Sequence, residues 1–174
     1  MNSKAALEKE FSRNVMDAQG IIHKVSRMYC DNEEHRKDLF QEILIQLWKS
    51  YTSFRGDSKF STWMYRVAIN VAIQDLRKTK KKQQLFFQTD QFKDTSLPSR
   101  QAGEEKKSEV ESEKLKLMHV AISQLNKVEK AIVMLHLDEK SNEEIAEIVG
   151  ITQNYVRVKM NRIKTKLSKT VKEN

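Results

Sequence analysis

One cysteine, one proline and four glycines among 174 residues leave this chain short of the punctuation and cross-links that many folds require. Cys30, alone, forms no internal disulfide, which fits a reducing compartment. Pro98 and four scattered glycines cannot supply the turns of an all-β protein. No apolar run approaches the ~18 residues of a membrane-spanning helix, and the segment Met1 to Glu10 mixes charges where a signal peptide would carry an apolar core. A cytoplasmic protein is therefore expected. The four histidines, His23, His35, His119 and His136, are dispersed, no glycine-rich phosphate loop occurs, and no Cys/His group has metal-ligand spacing. The sequence therefore predicts no enzyme, no catalytic residues, no metal, no cofactor and no small-molecule substrate.

What the chain does hold is positive charge and helical periodicity. A formal charge of +8 favours a polyanionic partner, because neutralising phosphates releases condensed counterions and drives association without base reading. Apolar residues recur at three- and four-residue spacing, so the fold class is all-α. The organisation is two small helical domains, over 1–84 and 114–174, joined by a flexible linker over 85–113. That linker is marked by Pro98, Gly103, several Ser and Thr and the run Glu104 to Glu109. Leu85, Phe86, Phe87 and Phe92 stand out in and around it as anchor points.

In the first block, Phe11, Val15, Ala18, Ile22 and Val25 make one apolar stripe on a helix from about Leu7 to Tyr29. Asp31 to Lys37 reads as a polar joint. From Asp38 an amphipathic helix carries Leu39, Phe40, Ile43, Leu44, Leu47, Trp48 and Tyr51, with Asp38, Glu42 and Gln46 stacked four apart on its polar side. After a loop over 54–59, a long helix begins near Ser61 and runs into a basic cluster, five of the six residues from Arg77 to Lys82. Trp48, Trp63 and Tyr65 at helical spacing read first as core. The aromatic turn beside Arg55 and Lys59, with the lysine cluster beyond, also supplies what opened DNA needs: ring faces for unstacked bases and cations for their phosphates.

In the last block Leu117, Ala121, Leu125, Val128, Ile132, Val133, Leu135 and Leu137 predict two helices joined around Asn126 and Lys127. A helix-turn-helix follows. Ser141 caps a helix whose first turn holds Glu143 and Glu144, with Ile145, Ala146 and Val149 buried. Gly150 supplies a left-handed turn and Thr152 caps the next helix. There Val156, Met160, Ile163 and Leu167 face the core, leaving Gln153, Asn154, Tyr155, Arg157, Lys159, Arg162 and Lys164 outward. Amides and guanidinium groups near the start of such a helix reach adenine and guanine edges in the major groove. From Ile151 to Asn174 there are seven basic residues and one acid, an imbalance that suits DNA better than a solvated helical hairpin.

These segments resemble a known family. Asp38-Leu39-Phe40-Gln41-Glu42-Ile43 with Trp48, then Phe60 to Asn70 and Asp75-Leu76-Arg77-Lys78, are similar to region two of the bacterial extracytoplasmic-function sigma factors of the sigma-70 family. Glu144 to Ile151 with Val156-Arg157-Val158-Lys159 and Arg162 are similar to their region four. The resemblance implies a promoter-specificity subunit that binds core RNA polymerase and promoter DNA. Asp38, Gln41, Glu42 and Gln46 would engage the polymerase. Arg55, Lys59, Ser61, Thr62, Trp63, Asn70, Gln74, Arg77 and Lys78 would recognise and help melt the −10 element. Gln153, Asn154, Tyr155, Arg157, Lys159 and Arg162 would read the −35 element. An anti-sigma factor is a further partner implied by resemblance alone. The chain departs from the family where many members carry Gly-Thr before the recognition-helix valine and it carries Asn154-Tyr155, which leaves its −35 sequence open. The alternative is a helix-turn-helix regulator that works without polymerase; the acidic members of the Asp38 row disfavour DNA and suit a protein partner.

Overall fold

The structure, a computed structural model, describes the backbone of residues 2–89, 117–118 and 120–172, and side chains within 5–79 and 117–169 except at 119. The chain divides into two compact units, Met1–Pro98 and Ser99–Asn174. Every regular element among the described residues is helical.

The first unit contains α1 (Asn2–Tyr29), α2 (Glu33–Tyr51) and α3 (Phe60–Thr89), each packed against the other two. The stripe predicted for α1 is there: Val15, Ile22 and Val25 are buried and meet Leu39, Ile43 and Leu47 of α2 and Met64, Tyr65, Ala68, Ile69 and Ala72 of α3. Burying a side chain of this size contributes about 1.5–3 kcal/mol, and that burial stabilises three helices with few local stop signals. Two boundaries differ from the sequence expectation. Helix α2 begins at Glu33, because Asn32 accepts a hydrogen bond from the His35 backbone N–H at 3.0 Å and Glu33 and Glu34 occupy the favourable first turn. The charged run to Lys37 is thus helix, tied by a Glu33–Lys37 pair at 3.0 Å. Helix α3 continues past the predicted linker start to Thr89, since its lysines and glutamines are good helix formers and the lone proline lies at 98. The anchor residues Leu85, Phe86 and Phe87 fall on this helix with side chains outside the described residues. Phe92 and the rest of the linker to Glu113 also lie outside them.

In the second unit a helical turn over 120–123 precedes α4 (Lys127–Leu137), α5 (Asn142–Val149) and α6 (Gln153–Lys172). Ala121, Leu125, Ile132, Leu135, Ile145, Ile148, Val156 and Ile163 form its core. Helix ends here are locally specified. Asn126 and Glu129 form a capping box on α4, and Ser141 and Glu144 form another on α5. Gly150 closes α5 at φ 75° and ψ 40°, in the left-handed region where glycine is unpenalised. Thr152 Oγ1 then accepts from the Tyr155 N–H at 3.2 Å to start α6. Two predicted core positions differ. Ile148, one residue before Val149, fills the interior beside Ile145, and Leu137, the last residue of α4, is 62% exposed.

Candidate functional site

The polar row predicted on α2 faces α3. Asp38, Glu42 and Gln46, at successive four-residue steps, line a groove of about 390 Å³ whose other wall is Asn70, Gln74 and Lys78 of α3. Three of the four residues expected to meet polymerase and three of the nine expected to read the −10 element therefore share one cleft, whose α2 bank carries the acids Asp38 and Glu42 and whose α3 bank carries two amides, Lys78 and a further acid, Asp75. Gln41 is separated from this row. It lies on the α1 side of α2, in a second cavity with His23, Ser26, Arg27, Arg36 and Phe40. Arg77 is exposed outside the lining of the groove.

The loop between α2 and α3 is held by rings. Phe11, Trp48, Tyr51, Phe54, Phe60 and Trp63 form a chain of edge-on and tilted contacts at centroid separations from 5.0 to 6.3 Å, a range that favours aromatic pairs. Tyr51 sits at the centre: its hydroxyl donates to Glu10 Oε1 and accepts from Asn14 Nδ2, both at 3.1 Å. Burial, followed by the Glu10 hydrogen bond, raises its pKa above the ordinary tyrosine value. Trp63 is half-buried, with one part in the cluster and one part in solvent, so the core reading of the aromatics holds and part of the ring stays accessible. Gly56 turns the loop at φ 78°, and Arg55 and Lys59 project exposed from it. Ser61 is half-buried. Thr62, grouped with the −10 residues from sequence, is only 5% exposed, so its side chain packs in the bundle and offers DNA no surface in this conformation.

In the second unit the outward face of α6 carries Gln153, Asn154, Arg157 and Arg162, all exposed, with Tyr155 at 44%. Lys159 departs from the outward set. Its ammonium lies 3.7 Å from Glu129 Oε1 and 5.5 Å from the Tyr155 ring centroid. Glu129 is 2% exposed. It accepts the Asn126 backbone N–H at 3.2 Å and the Lys166 ammonium at 2.9 and 3.0 Å. Burial alone would raise its pKa, but the hydrogen bonds from Lys166 and Asn126 and the charges of Lys166 and Lys159 outweigh it and hold the carboxyl below its ordinary value. A buried carboxylate on α4 therefore holds α6 from beneath. Lys159 belongs partly to that support, a partnership invisible in sequence because Glu129 lies thirty residues upstream.

Comparison with known proteins agrees with both units. The sigma-70 region 2 model matches residues 15–82 and the sigma-70 region 4 model matches residues 115–167. Together they span more than half of the chain. The extracytoplasmic-function RNA polymerase sigma factor SigW of Bacillus subtilis is 26% identical over 156 residues, covering 87% of this chain and 83% of that protein. The RNA polymerase sigma factor CnrH of Cupriavidus metallidurans is 26% identical over 92% of this chain and 86% of its own length. Among solved structures, the sigma factor RpoE from Bartonella quintana, in complex with the anti-sigma factor NepR, has a TM-score of 0.70 at 18% identity over 94% of this chain and 98% of its own, a likeness of fold. The chain belongs to the extracytoplasmic-function group of the sigma-70 family. It is a promoter-directing sigma factor of RNA polymerase, and the reading as a polymerase-independent regulator is not favoured. None of the described helices is long and apolar enough to cross a membrane.

Proposed function

We propose that the two units divide promoter recognition as their regions do in the family. The first docks on core polymerase and opens the −10 element, and the second places α6 in the major groove of the −35 element. The observation that carries this division is the groove between α2 and α3, whose acidic α2 bank suits a basic protein surface and whose α3 bank sets Asn70, Gln74 and Lys78, suited to bases and phosphates, beside the inner acid Asp75. Arg55, Lys59 and Trp63 extend the DNA surface along the loop. We assign Asp38, Glu42 and Gln46 to polymerase, with Gln41 beside them on the other flank of α2. We assign Gln153, Asn154, Tyr155, Arg157 and Arg162 to the −35 element, with Lys159 shared between DNA and Glu129. The protein acts in the cytoplasm beside polymerase and has no catalytic centre of its own. RpoE is held by NepR in its solved complex, and an anti-sigma factor covering the same faces is the regulator we infer here.

In vitro transcription with core polymerase on genomic fragments tests this reading. Added protein directs new start sites, Glu42→Lys weakens polymerase binding more than Arg157→Ala, and Arg157→Ala reduces initiation mainly at promoters that depend on the −35 contact. If the protein creates no new starts, the reading fails. Equal losses for both variants in both assays would signal misfolding.

A further inference from the structure

Cys30, His35 and Asp75 are separated by up to 45 positions in sequence yet converge on one point of the first unit, with ligand-capable atoms all within 4.8 Å of one another. We propose that they form a binding site for a borderline-soft divalent cation of the zinc type, with thiolate sulfur, imidazole nitrogen and carboxylate oxygen as ligands and solvent in the fourth position. Four-coordinate zinc takes these donors at about 2.0–2.3 Å, which places neighbouring ligand atoms about 3.3–3.7 Å apart. His35 Nε2 and Asp75 Oδ2 stand 2.8 Å apart, so a small opening on that side and a small closing around the sulfur complete the geometry. A mixed S, N, O set selects zinc-like ions over magnesium or calcium, which prefer oxygen alone.

The corner that carries two of the ligands is built independently of any ion. The Cys30 N–H donates to Ser26 O at 2.9 Å, prolonging the last turn of α1. Asn32 caps α2 by accepting the His35 N–H. The Arg36 guanidinium donates to the carbonyls of Cys30 and Asp31 at 3.2–3.4 Å. Asp75 arrives from the middle of α3. Its Oδ2 is sealed from solvent and has no hydrogen-bond partner. The His35 Nε2 lies 2.8 Å from it, at ion-pair distance. A cation between the two groups would take a lone pair from each. Thiolate and carboxylate together balance a dipositive ion. On binding, Cys30 loses its thiol proton to solvent while His35 binds as neutral imidazole. Cys30 is buried, whereas the His35 and Asp75 side chains are 35% and 26% exposed, which gives the ion an entry path and the solvent ligand its place.

Cobalt(II) and zinc(II) titrations of the reduced full chain test the site without polymerase or DNA, so the result is independent of the functional reading above. The expected result is one equivalent of cobalt(II), bound with release of the thiol proton and showing a thiolate-to-metal charge-transfer band and the visible bands of a tetrahedral ion, and displaced by zinc(II). Zinc(II) also raises the melting temperature of the first unit by about 5 °C or more. Cys30 is the only thiol, so Cys30→Ser abolishes the charge-transfer band. His35→Ala and Asp75→Asn each weaken affinity at least about tenfold, and His136→Ala leaves it unchanged. Circular dichroism reports whether each variant is folded, and His35→Gln replaces His35→Ala if the latter is not. Cobalt binding without a thiolate band overturns the proposal. So does a thiolate band unmoved by the His35 and Asp75 variants, which would mean thiols bridging two chains.

Discussion

The two units reach helical structure by different routes. Helices α1, α2 and α3 of the first span 28, 19 and 30 residues, and their shared apolar faces stabilise them. Helices α4 and α5 of the second span 11 and 8 residues, below the ~12–15 at which isolated helices become even marginal in water. Each carries a capping box, and α5 also has a glycine stop. Where helices are long, packing decides and end signals are weak. Where they are short, each end is written in side chains. The same contrast reaches the candidate surfaces: the first unit offers a groove between elements, and the second offers one face of one helix.

The largest effect should come from the packed interior of the first unit. Leu47→Ala removes a fully buried side chain from the contact of α2 with α1 and α3, and such truncations cost about 2–5 kcal/mol. Both tryptophans, Trp48 and Trp63, lie in this unit, so tryptophan fluorescence follows its melting alone while calorimetry follows both transitions. The fluorescence transition drops markedly and the second calorimetric transition stays in place. A joint shift of both would break the comparison by showing one cooperative body.

A somewhat smaller loss is expected in the second unit from Glu129→Gln, which keeps the volume and removes the charge beneath α6. Breaking a buried ion pair costs about 3–5 kcal/mol, but the Lys166 side chain is 56% exposed and solvent screens its share, so about 1–3 kcal/mol is the scale here. The sign with pH follows from the direction of the shift. Glu129 titrates lower in the folded state than its ordinary 4.5. Its contribution is therefore complete above that unfolded value and disappears as pH falls through the lower folded one. Wild type and Glu129→Gln should differ most in the second transition near neutral pH and converge in acid. A constant difference down to strongly acidic pH would assign the loss to packing alone.

These differences explain what was legible in the sequence. Ser141, Gly150 and Thr152 could be assigned one at a time because a cap needs only its own turn. The α1 and α2 stripes were legible because their period spans many residues. The start of α2 was missed although Asn32 with Glu33 and Glu34 is itself a start signal, because the charged run offers no apolar period. The end of α3 was missed because no cap or glycine marks it, so the linker composition around Pro98 and Gly103 set the boundary at 85, while Leu85 and Gln88 are good helix formers. Site residues divided in the same way. Asp38, Glu42 and Gln46 share a face by spacing alone, and the groove bears that out. The burial of Thr62, the hold of Glu129 on Lys159, and the meeting of Cys30 and His35 with Asp75 depend on contacts between elements, which no local pattern encodes.

The smallest predicted effects compare the caps directly. Replacing a capping side chain by alanine costs about 0.5–2 kcal/mol. In α5 the loss should sit near the upper end, because Ser141→Ala removes the hydroxyl that accepts the Glu144 N–H and leaves of the capping box only the bond donated by the residue 141 backbone N–H to Glu144 Oε2 at 2.9 Å, and the helix has only two turns in which to absorb it. In α2 the same change, Asn32→Ala, removes the bond to the His35 N–H from a helix of 19 residues whose buried face continues without its first turn, so the loss should sit near the lower end. Gly150→Ala calibrates the scale. A Cβ there meets nothing within 4 Å, so its cost is the left-handed backbone alone, about 1–2 kcal/mol. Urea melts of the three variants, read in their own units, should rank Ser141→Ala and Gly150→Ala together above Asn32→Ala. If Asn32→Ala proves as costly as Ser141→Ala, end signals matter equally in long and short helices, and the contrast between the units reduces to length alone.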